Sequence, residues 1–578
     1  MMRRDLFSPT RSAGTPAPYV RPAATALAMA AALLAAGCAS LAPPYQAPAL
    51  PVPATLDGTA AVSDAATAQS ADAHAPGSGI GIGIGDEPWE SFITEPRLRG
   101  VIAQSLEANR DLRVAALAIE RARAQYGVSR ADLFPTVAAT GAGSRSRTAD
   151  DLTAAGRANT GSQYNAQIGF ASYEIDFFGR VRNLNDAALQ EFLRVGENAR
   201  SVRLSLIADV AGAWLTLDAD ARRLLLARET LRTREQSLSL ARQSYERGAT
   251  SGLAFAQTQT TVDTARADAA AAAAQLARDR NALQLLAGGP VADALLPPSA
   301  VEAFALPPQN AAANGTGGVP AQTAPRAGPA SAPGPVSASA PAPEPAPSAA
   351  TDPARAGAQA GSPDPARWQR PAPSIAPLLA VPADLPSSAL LRRPDIQAAE
   401  RSLQGSYASI GAARAAFFPS ITLTTSVGTA SNQLSGLFGA GNGTWSFAPQ
   451  IRLPIFDGGR NQANLRVAEV ARETAVAQYD KAVQTAFREA ADALADRATL
   501  QERLQAQASL VANTQRALDL TLARWRLGAD SYLAVLDAQR SLYAAQQGLI
   551  ALQLTEQVNR VTLYKVLGGW SAEQGGSS

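Results

Sequence analysis

One cysteine and one histidine in 578 residues leave little room for catalytic or metal chemistry. The lone cysteine, Cys38, permits no intrachain disulfide. The lone histidine, His74, lies in an Ala/Gly/Ser-rich stretch, so a zinc site or a Ser-His-Asp triad would have to be built around a linker residue. Its expected role is a solvated side chain. Lysine is scarce too: of 51 basic residues only Lys481 and Lys565 are lysines, and the arginines are scattered. A formal net charge of +2 gives no field for nucleic acid or an acidic partner. Although 46% of residues are hydrophobic, no run approaches the ~20 apolar residues of a spanning helix. Such a chain would enter a membrane by strands or by an anchor. The run Gly79-Ile80-Gly81-Ile82-Gly83-Ile84-Gly85 superficially resembles a dinucleotide loop, but no strand precedes it and no helix with a ribose-binding acid follows. With no nucleophile–base pair, metal cluster or phosphate loop, the expectation is a protein that is not an enzyme and carries no cofactor.

The first residues point to export. Arg3, Arg4, Arg11 and Arg21 precede the apolar stretch from Ala23 to Ala36, too short to span a bilayer and suited to a secretory signal. It runs into Leu33-Leu34-Ala35-Ala36-Gly37-Cys38. Small residues before a lone cysteine resemble the bacterial lipobox, which implies a lipid-modified Cys38 as the mature N-terminus. Leu34 stands one place further back than the pattern prefers. Residue 39 is Ala rather than the aspartate that signals inner-membrane retention in similar lipoproteins, which argues against such retention.

Two copies of one unit are visible next. Asp111-Leu112 leads to Leu133-Phe134-Pro135-Thr136, and Asp395-Ile396 leads to Phe417-Phe418-Pro419-Ser420, an offset of 284 residues. The stretch from Ile175 to Arg180 matches that from Ile455 to Arg460 at an offset of 280, which also carries Tyr245 and Gly248 onto Trp525 and Gly528. Ser251, Leu253, Gln259 and Gly288 fall likewise on Ser531, Leu533, Gln539 and Gly568. Between the copies, residues 301–386 are rich in Pro, Ala, Gly and Ser and are expected to lack a core.

Each copy reads as helix, two strands, very long helix, turn, helix. The spacing of Leu112, Ala115, Ala116, Ile119 and Ala122 predicts a helix from Asp111 to Ala131, ended by Pro135. Ile421, Leu423, Thr425 and Val427 alternate with Thr422, Thr424 and Ser426, and Ala166, Ile168 and Phe170 with Gln167 and Gly169, over lengths that suit membrane strands. The stretches from Asn183 to Gly248 and from Asn461 to Gly528 hold no proline and would reach about 100 Å as continuous helices. Seven-residue spacings (Leu217, Leu224, Leu231, Leu238, Tyr245; Leu504, Val511, Leu518, Trp525) predict left-handed coiled-coil packing. Four strands are too few to close a barrel, and an open edge in lipid would cost several kcal/mol per unpaired backbone group. Several chains must therefore pool strands, and three would give twelve. The predicted fold is mixed α and β: a closed barrel of strands pooled from several chains, continued by a tube of coiled-coil helices.

The motifs Leu133-Phe134-Pro135, Tyr173-Glu174-Ile175-Asp176-Phe177-Phe178-Gly179-Arg180, Leu391-Arg392-Arg393-Pro394-Asp395-Ile396, Leu453-Pro454-Ile455-Phe456-Asp457-Gly458-Gly459-Arg460 and the run from Arg526 to Arg540 (RLGADSYLAVLDAQR) give a family resemblance. The chain resembles the TolC-like outer-membrane efflux proteins, in the OprM/NodT branch of lipoproteins paired with resistance-nodulation-division pumps, from about Trp89 to Trp570. The resemblance implies a homotrimer in the outer membrane of a Gram-negative bacterium, with a 12-stranded outer-membrane β-barrel (four strands per chain) continued by a long coiled-coil α-helical periplasmic barrel. It also implies a periplasmic adaptor and an inner-membrane resistance-nodulation-division pump as partners. Gly248, Thr250 and Ser251, with Gly528 and Ser531, are similar to the periplasmic tips that meet the adaptor; in local terms they are a helix stop followed by N-capping side chains. Asp537 and Leu533 resemble the constriction ring, with Arg526 and Asp530 in the links that hold it shut. Three aspartates in one narrow pore would repel one another and bind cations. The first copy has Gln257 at the position of Asp537.

The expected organisation is a signal peptide at 1–37, a lipidated flexible segment at 38–88, and a first repeat at 89–300 with strands about 133–176 and long helices about 183–288. The insertion occupies 301–386, the second repeat 387–570 with strands about 417–457 and helices about 461–568, and a disordered tail 571–578. The expected function is a passive conduit exporting small toxic compounds. Alternatives are the same channel in type I protein secretion or metal efflux, and a coiled-coil envelope tether, which would need no strands.

Overall fold

The computed structural model describes residues 40–53, 89–152, 158–305 and 387–569. Cys38, His74, the Gly-Ile run, residues 306–386 and the tail from Trp570 lie outside them. In chain order the elements are α1 (Trp89–Phe92), α2 (Pro96–Ala108), α3 (Arg110–Ala131), β1 (Val137–Arg147), β2 (Thr160–Ile175), α4 (Arg180–Glu246), α5 (Gly252–Leu286), α6 (Pro298–Ala305), α7 (Pro394–Ala415), β3 (Ser420–Ser431), β4 (Gly443–Arg452), α8 (Arg460–Arg526) and α9 (Tyr532–Val566).

The long helices are unbroken. α4 and α8 each span 67 residues, about 100 Å at 1.5 Å per residue. Both begin before Asn183 and Asn461, because an aspartate outside the helix satisfies its first amides. Asp176 accepts from Arg182 N at 2.8 Å, and Asp457 accepts from Gly459 N at 3.0 Å and Asn461 N at 2.8 Å. Of the heptad stripe on α4, Leu217, Leu224 and Leu231 are buried, while Tyr245 near the tip is half exposed. Burial thus fades toward the far end of the hairpin.

The four strands form one antiparallel sheet in the order β1-β2-β3-β4. Its register places Val137, Ala139, Ile168, Phe170, Ile421, Leu423, Val427, Trp445, Phe447 and Ile451 on one face. Thr140, Gln163, Asn165, Gln167, Thr422, Ser426, Ser446 and Gln450 lie on the other. A bulge between Phe170 and Tyr173, with Ser172 at φ 57°, restores the apolar phase at the end of β2 nearest α4. Every residue of β1 and β4 is exposed, so among the described residues the sheet has two bare edges. No helix among the described residues is long and apolar enough to cross a membrane.

The main core sits midway along the helices, where Trp89, Phe92, Ile93 and Leu98 of the α1–α2 region pack on Trp214 of α4, Leu283 of α5 and Tyr564 of α9. Phe92 stacks on Tyr564 at 4.3 Å, and Trp214 Nε1 donates to Leu295 O at 3.0 Å. α6 carries regular structure five residues into the stretch expected to lack it. Pro298 opens that helix, Ala300 and Ala303 are buried, and Arg228 Nη1 donates to Ala303 O at 2.7 Å. Residues 40–53 follow α7: Ser40 Oγ donates to Asn183 Oδ1 at 2.7 Å, Tyr45 OH donates to Glu400 Oε1 at 3.0 Å, and Val52 packs near Leu390 and Ile396.

Candidate periplasmic aperture

The α4–α5 and α8–α9 hairpins turn at their far ends on glycines in the left-handed region, Gly248 at φ 68° and Gly528 at φ 75°. These are the αL residues that end helices at the least steric cost. Gly248 N donates to Tyr245 O and Gly528 N to Trp525 O, both at 2.9 Å. An aromatic pair clasps each turn: Tyr245 stacks on Phe255 at 5.3 Å, and Trp525 meets Tyr532 at 5.1 Å. Behind the second clasp Leu518, Val535 and Leu542 are buried, with Leu522 and Val511 against them.

The polar groups differ between the tips. Ser251 Oγ accepts from Ala254 N at 3.2 Å and caps α5, while the half-buried Thr250 lies one residue before it. Ser531 occupies the corresponding N-cap position but makes no side-chain cap, contrary to the expectation that both tips are capped this way. The second tip uses an ion pair instead: Asp530 accepts from Arg524 Nε at 2.7 Å and from Nη2 at 2.9 Å. The Arg524 guanidinium holds the Asp530 carboxyl below the usual carboxylate range.

Within one chain, therefore, Asp530 is brought to Arg524, which the motif reading did not single out. Arg526 is exposed on the same helix. Residues two apart on a helix do not share a face, so only one of these arginines can reach back over the turn. Leu533 and Asp537 are one turn apart on α9 and both face solvent, whereas Val535 and Leu536 are buried, Val535 in the core of the hairpin. Asp537 pairs with Arg540 at 2.6 Å, and both side chains remain over half exposed. In the first hairpin Leu253, the counterpart of Leu533, is 70% exposed, so both copies present an outward leucine at this level. Leu253 and the exposed Leu527 at the second tip were not singled out for the site, although the 280-residue offset carries Leu253 onto Leu533 and Leu527 lies within the Arg526–Arg540 run. Side by side, exposed leucines and one exposed acid per chain can form a narrow apolar and anionic constriction once several chains surround an axis.

The profile of the outer membrane efflux protein family matches residues 101–289 and 385–569. The antibiotic efflux pump outer membrane protein ArpC of Pseudomonas putida is 39% identical over 548 residues, covering 95% of this chain and 96% of that protein. The toluene efflux pump outer membrane protein TtgC, also of Pseudomonas putida, is likewise 39% identical, over the same shares of both chains. The open-state crystal structure of the Neisseria gonorrhoeae MtrE outer membrane channel superposes with a TM-score of 0.67 at 33% identity, covering 92% of this chain and 98% of that one.

Proposed function

The chain belongs to the outer membrane efflux protein family and is an efflux channel component rather than an enzyme; from that premise we propose how it conducts. Three copies pool their four-stranded sheets into a twelve-stranded barrel, and their helical hairpins continue it as a tunnel. The chain is two copies of one unit, so each subunit contributes two hairpins to the tube. The observation that carries this reading is the sheet itself: one apolar face, one polar face and two bare edges, mounted on helices of 67 residues. In a bilayer such edges must be paired, and an apolar-out, polar-in closed sheet does this while leaving a wet lumen.

Leu533 and Asp537 narrow the tunnel at its periplasmic end, and the links at Arg526 and Asp530 hold it closed. The tips at Gly248, Thr250, Ser251, Gly528 and Ser531 receive a periplasmic adaptor that joins the channel to an inner-membrane resistance-nodulation-division pump. Cys38 carries the lipid anchor. Support for it comes from Ser40, two residues on, which is tied to the first turn of α4, just below the strands and so at the level of the inner leaflet. The cargo is small toxic compounds, a class that includes the antibiotic and toluene named for the relatives. The channel itself is passive.

Single-channel conductance in a planar bilayer tests the aperture. Wild-type protein is expected to give a low, cation-preferring conductance that rises at least about tenfold in Leu533→Ala/Asp537→Ala, because an anionic apolar ring limits both radius and selectivity. A pore indifferent to the double substitution moves the gate elsewhere. A folded trimer with no conductance turns the reading toward a structural tether.

A further inference from the structure

β1 and β4 are the bare edges, and because the strands alternate in direction, β4 of one copy meets β1 of the next antiparallel. We propose that this seam has one register, which rests on the trimeric barrel read above. Ile451 lies opposite Gly141 of the partner subunit, Pro449 opposite Gly143 of the partner subunit, Phe447 opposite Arg145 of the partner subunit and Trp445 opposite Arg147 of the partner subunit.

The free backbone groups fix the parity. Thr148 N donates to Asn159 O at 2.7 Å, one step beyond the β1–β2 ladder, and Ala430 N donates to Asn442 O at 3.0 Å, one step beyond the β3–β4 ladder. Hydrogen-bonded pairs recur every second residue in an antiparallel ladder. Even-numbered residues of β1 and β4 are therefore bonded inward, and odd-numbered residues of both aim N–H and C=O at the open edge. A seam satisfies those groups only by pairing odd with odd, which the proposed register does. The same parity continues the apolar face across the seam, where a one-residue slip would invert it. Pro449 has its nitrogen on the open edge and so withholds no bond from β3, but at the seam it can only accept from the amide of Gly143 of the partner subunit and returns no donor, which leaves one bond of that ladder unmade.

Parity leaves slips of two residues, and the internal repeat selects among them. The β2–β3 junction joins the end of one copy's hairpin to the start of the next within a chain, and the seam between chains repeats that relation. The 284-residue offset carries Ile421, Thr425 and Val427 of β3 onto Val137, Gly141 and Gly143. The 280-residue offset carries Tyr173 and Ile175 onto Leu453 and Ile455. Beyond the β2 bulge, which β4 lacks, Phe170 and Ile168 fall on Ile451 and Pro449. The intrachain pairs Phe170–Thr425, Ile168–Val427 and Ile175–Ile421 thus become Ile451–Gly141, Pro449–Gly143 and Ile455–Val137 across the seam. The last of these covers Ile455, which is 93% exposed in the single chain.

Oxidative cross-linking of full-length protein in outer membranes tests the register, with the single-cysteine variants as controls. Ile451→Cys/Gly141→Cys is expected to link chains into dimers and trimers on denaturing gels. Its yield should exceed Ile451→Cys/Ala139→Cys and Ile451→Cys/Gly143→Cys by at least ~5-fold, since a two-residue slip leaves Cα atoms ~7–8 Å apart, beyond disulfide reach. Phe447→Cys/Arg145→Cys reports the same seam near the outer end and guards against a local folding defect. Preferential linking of a slipped pair overturns the register. No linking from a protein whose native mass is still a trimer overturns the β1–β4 seam while keeping the trimer. A monomeric native mass overturns the trimeric reading beneath both.

Discussion

α4 and α8 share a length of 67 residues and α5 and α9 a length of 35, yet the positions they place at the same height carry different chemistry. In the first half Asp220 is buried beside Asp279. Asp279 Oδ1 accepts from Gln275 Nε2 at 2.8 Å, while Oδ2 is buried toward Asp220 and receives no donor unless one acid keeps a proton. In the second half, 280 residues on, stand Leu500 and Asn559, both buried, with Asn559 Nδ2 donating to Ala493 O at 2.9 Å. The tips diverge likewise, a serine cap in one and an Arg524–Asp530 pair in the other. Helix length and turn position depend on proline-free runs and a glycine at the αL position, which both halves keep. The polar contacts between those limits can change without altering the skeleton.

The largest expected effect treats the halves alike. Gly248→Ala and Gly528→Ala each force a Cβ into the left-handed region at about 1–2 kcal/mol. Amide exchange at the affected tip should accelerate about 5–30-fold in either variant. A response at one tip alone would break the equivalence of the two turns. The next effect separates the halves. Burial, followed by the adjoining Asp220, pushes the Asp279 carboxyl up to about 6, against weaker downward pulls from Gln275 and Arg278. Because the folded value lies above the unfolded one, protonation favours the fold, and stability falls as pH rises from about 4 through about 6. Asp279→Asn, which installs the second half's residue, should remove that slope and raise thermal stability at pH 7.5 by about 1 kcal/mol once solvent screening is allowed for. Melting curves at pH 5 and pH 7.5 decide it; an unchanged slope would mean that another group titrates there.

How much of this was legible in the sequence follows from how local each signal is. The long helices announce themselves by the absence of proline and by seven-residue spacing, and β2 and β3 by alternation. β1 is barely visible: Gly141, Gly143, Arg145 and Arg147 occupy the apolar-face positions, so its place is set by the neighbouring strand. α1, α2 and α6 went unseen because Trp89, Phe92, Leu98 and Ala303 join a core built with residues of α4 and α9, far along the chain. At the aperture, motif resemblance singled out Leu533, Asp537, Arg526 and Asp530. That Arg524 reaches Asp530 depends on which helix face turns over the tip, and spacing alone does not decide it.

The smallest expected effect sharpens the comparison most. Ser251→Ala removes an acceptor that holds the Ala254 amide, and should loosen the first turn of α5 by about 0.5–1 kcal/mol. Ser531→Ala removes a hydroxyl that caps nothing within the chain, so the first turn of α9 should exchange as before. Arg524→Ala should loosen the second tip and leave the first untouched, because the Arg524–Asp530 pair has no counterpart there. If amide exchange instead shows Ser531→Ala fraying α9 as much as Ser251→Ala frays α5, the assembled channel must rearrange the second tip into a serine cap. Asp530 would then be released from Arg524 and free to engage another group, and the closing link would belong to the assembly rather than to the single chain.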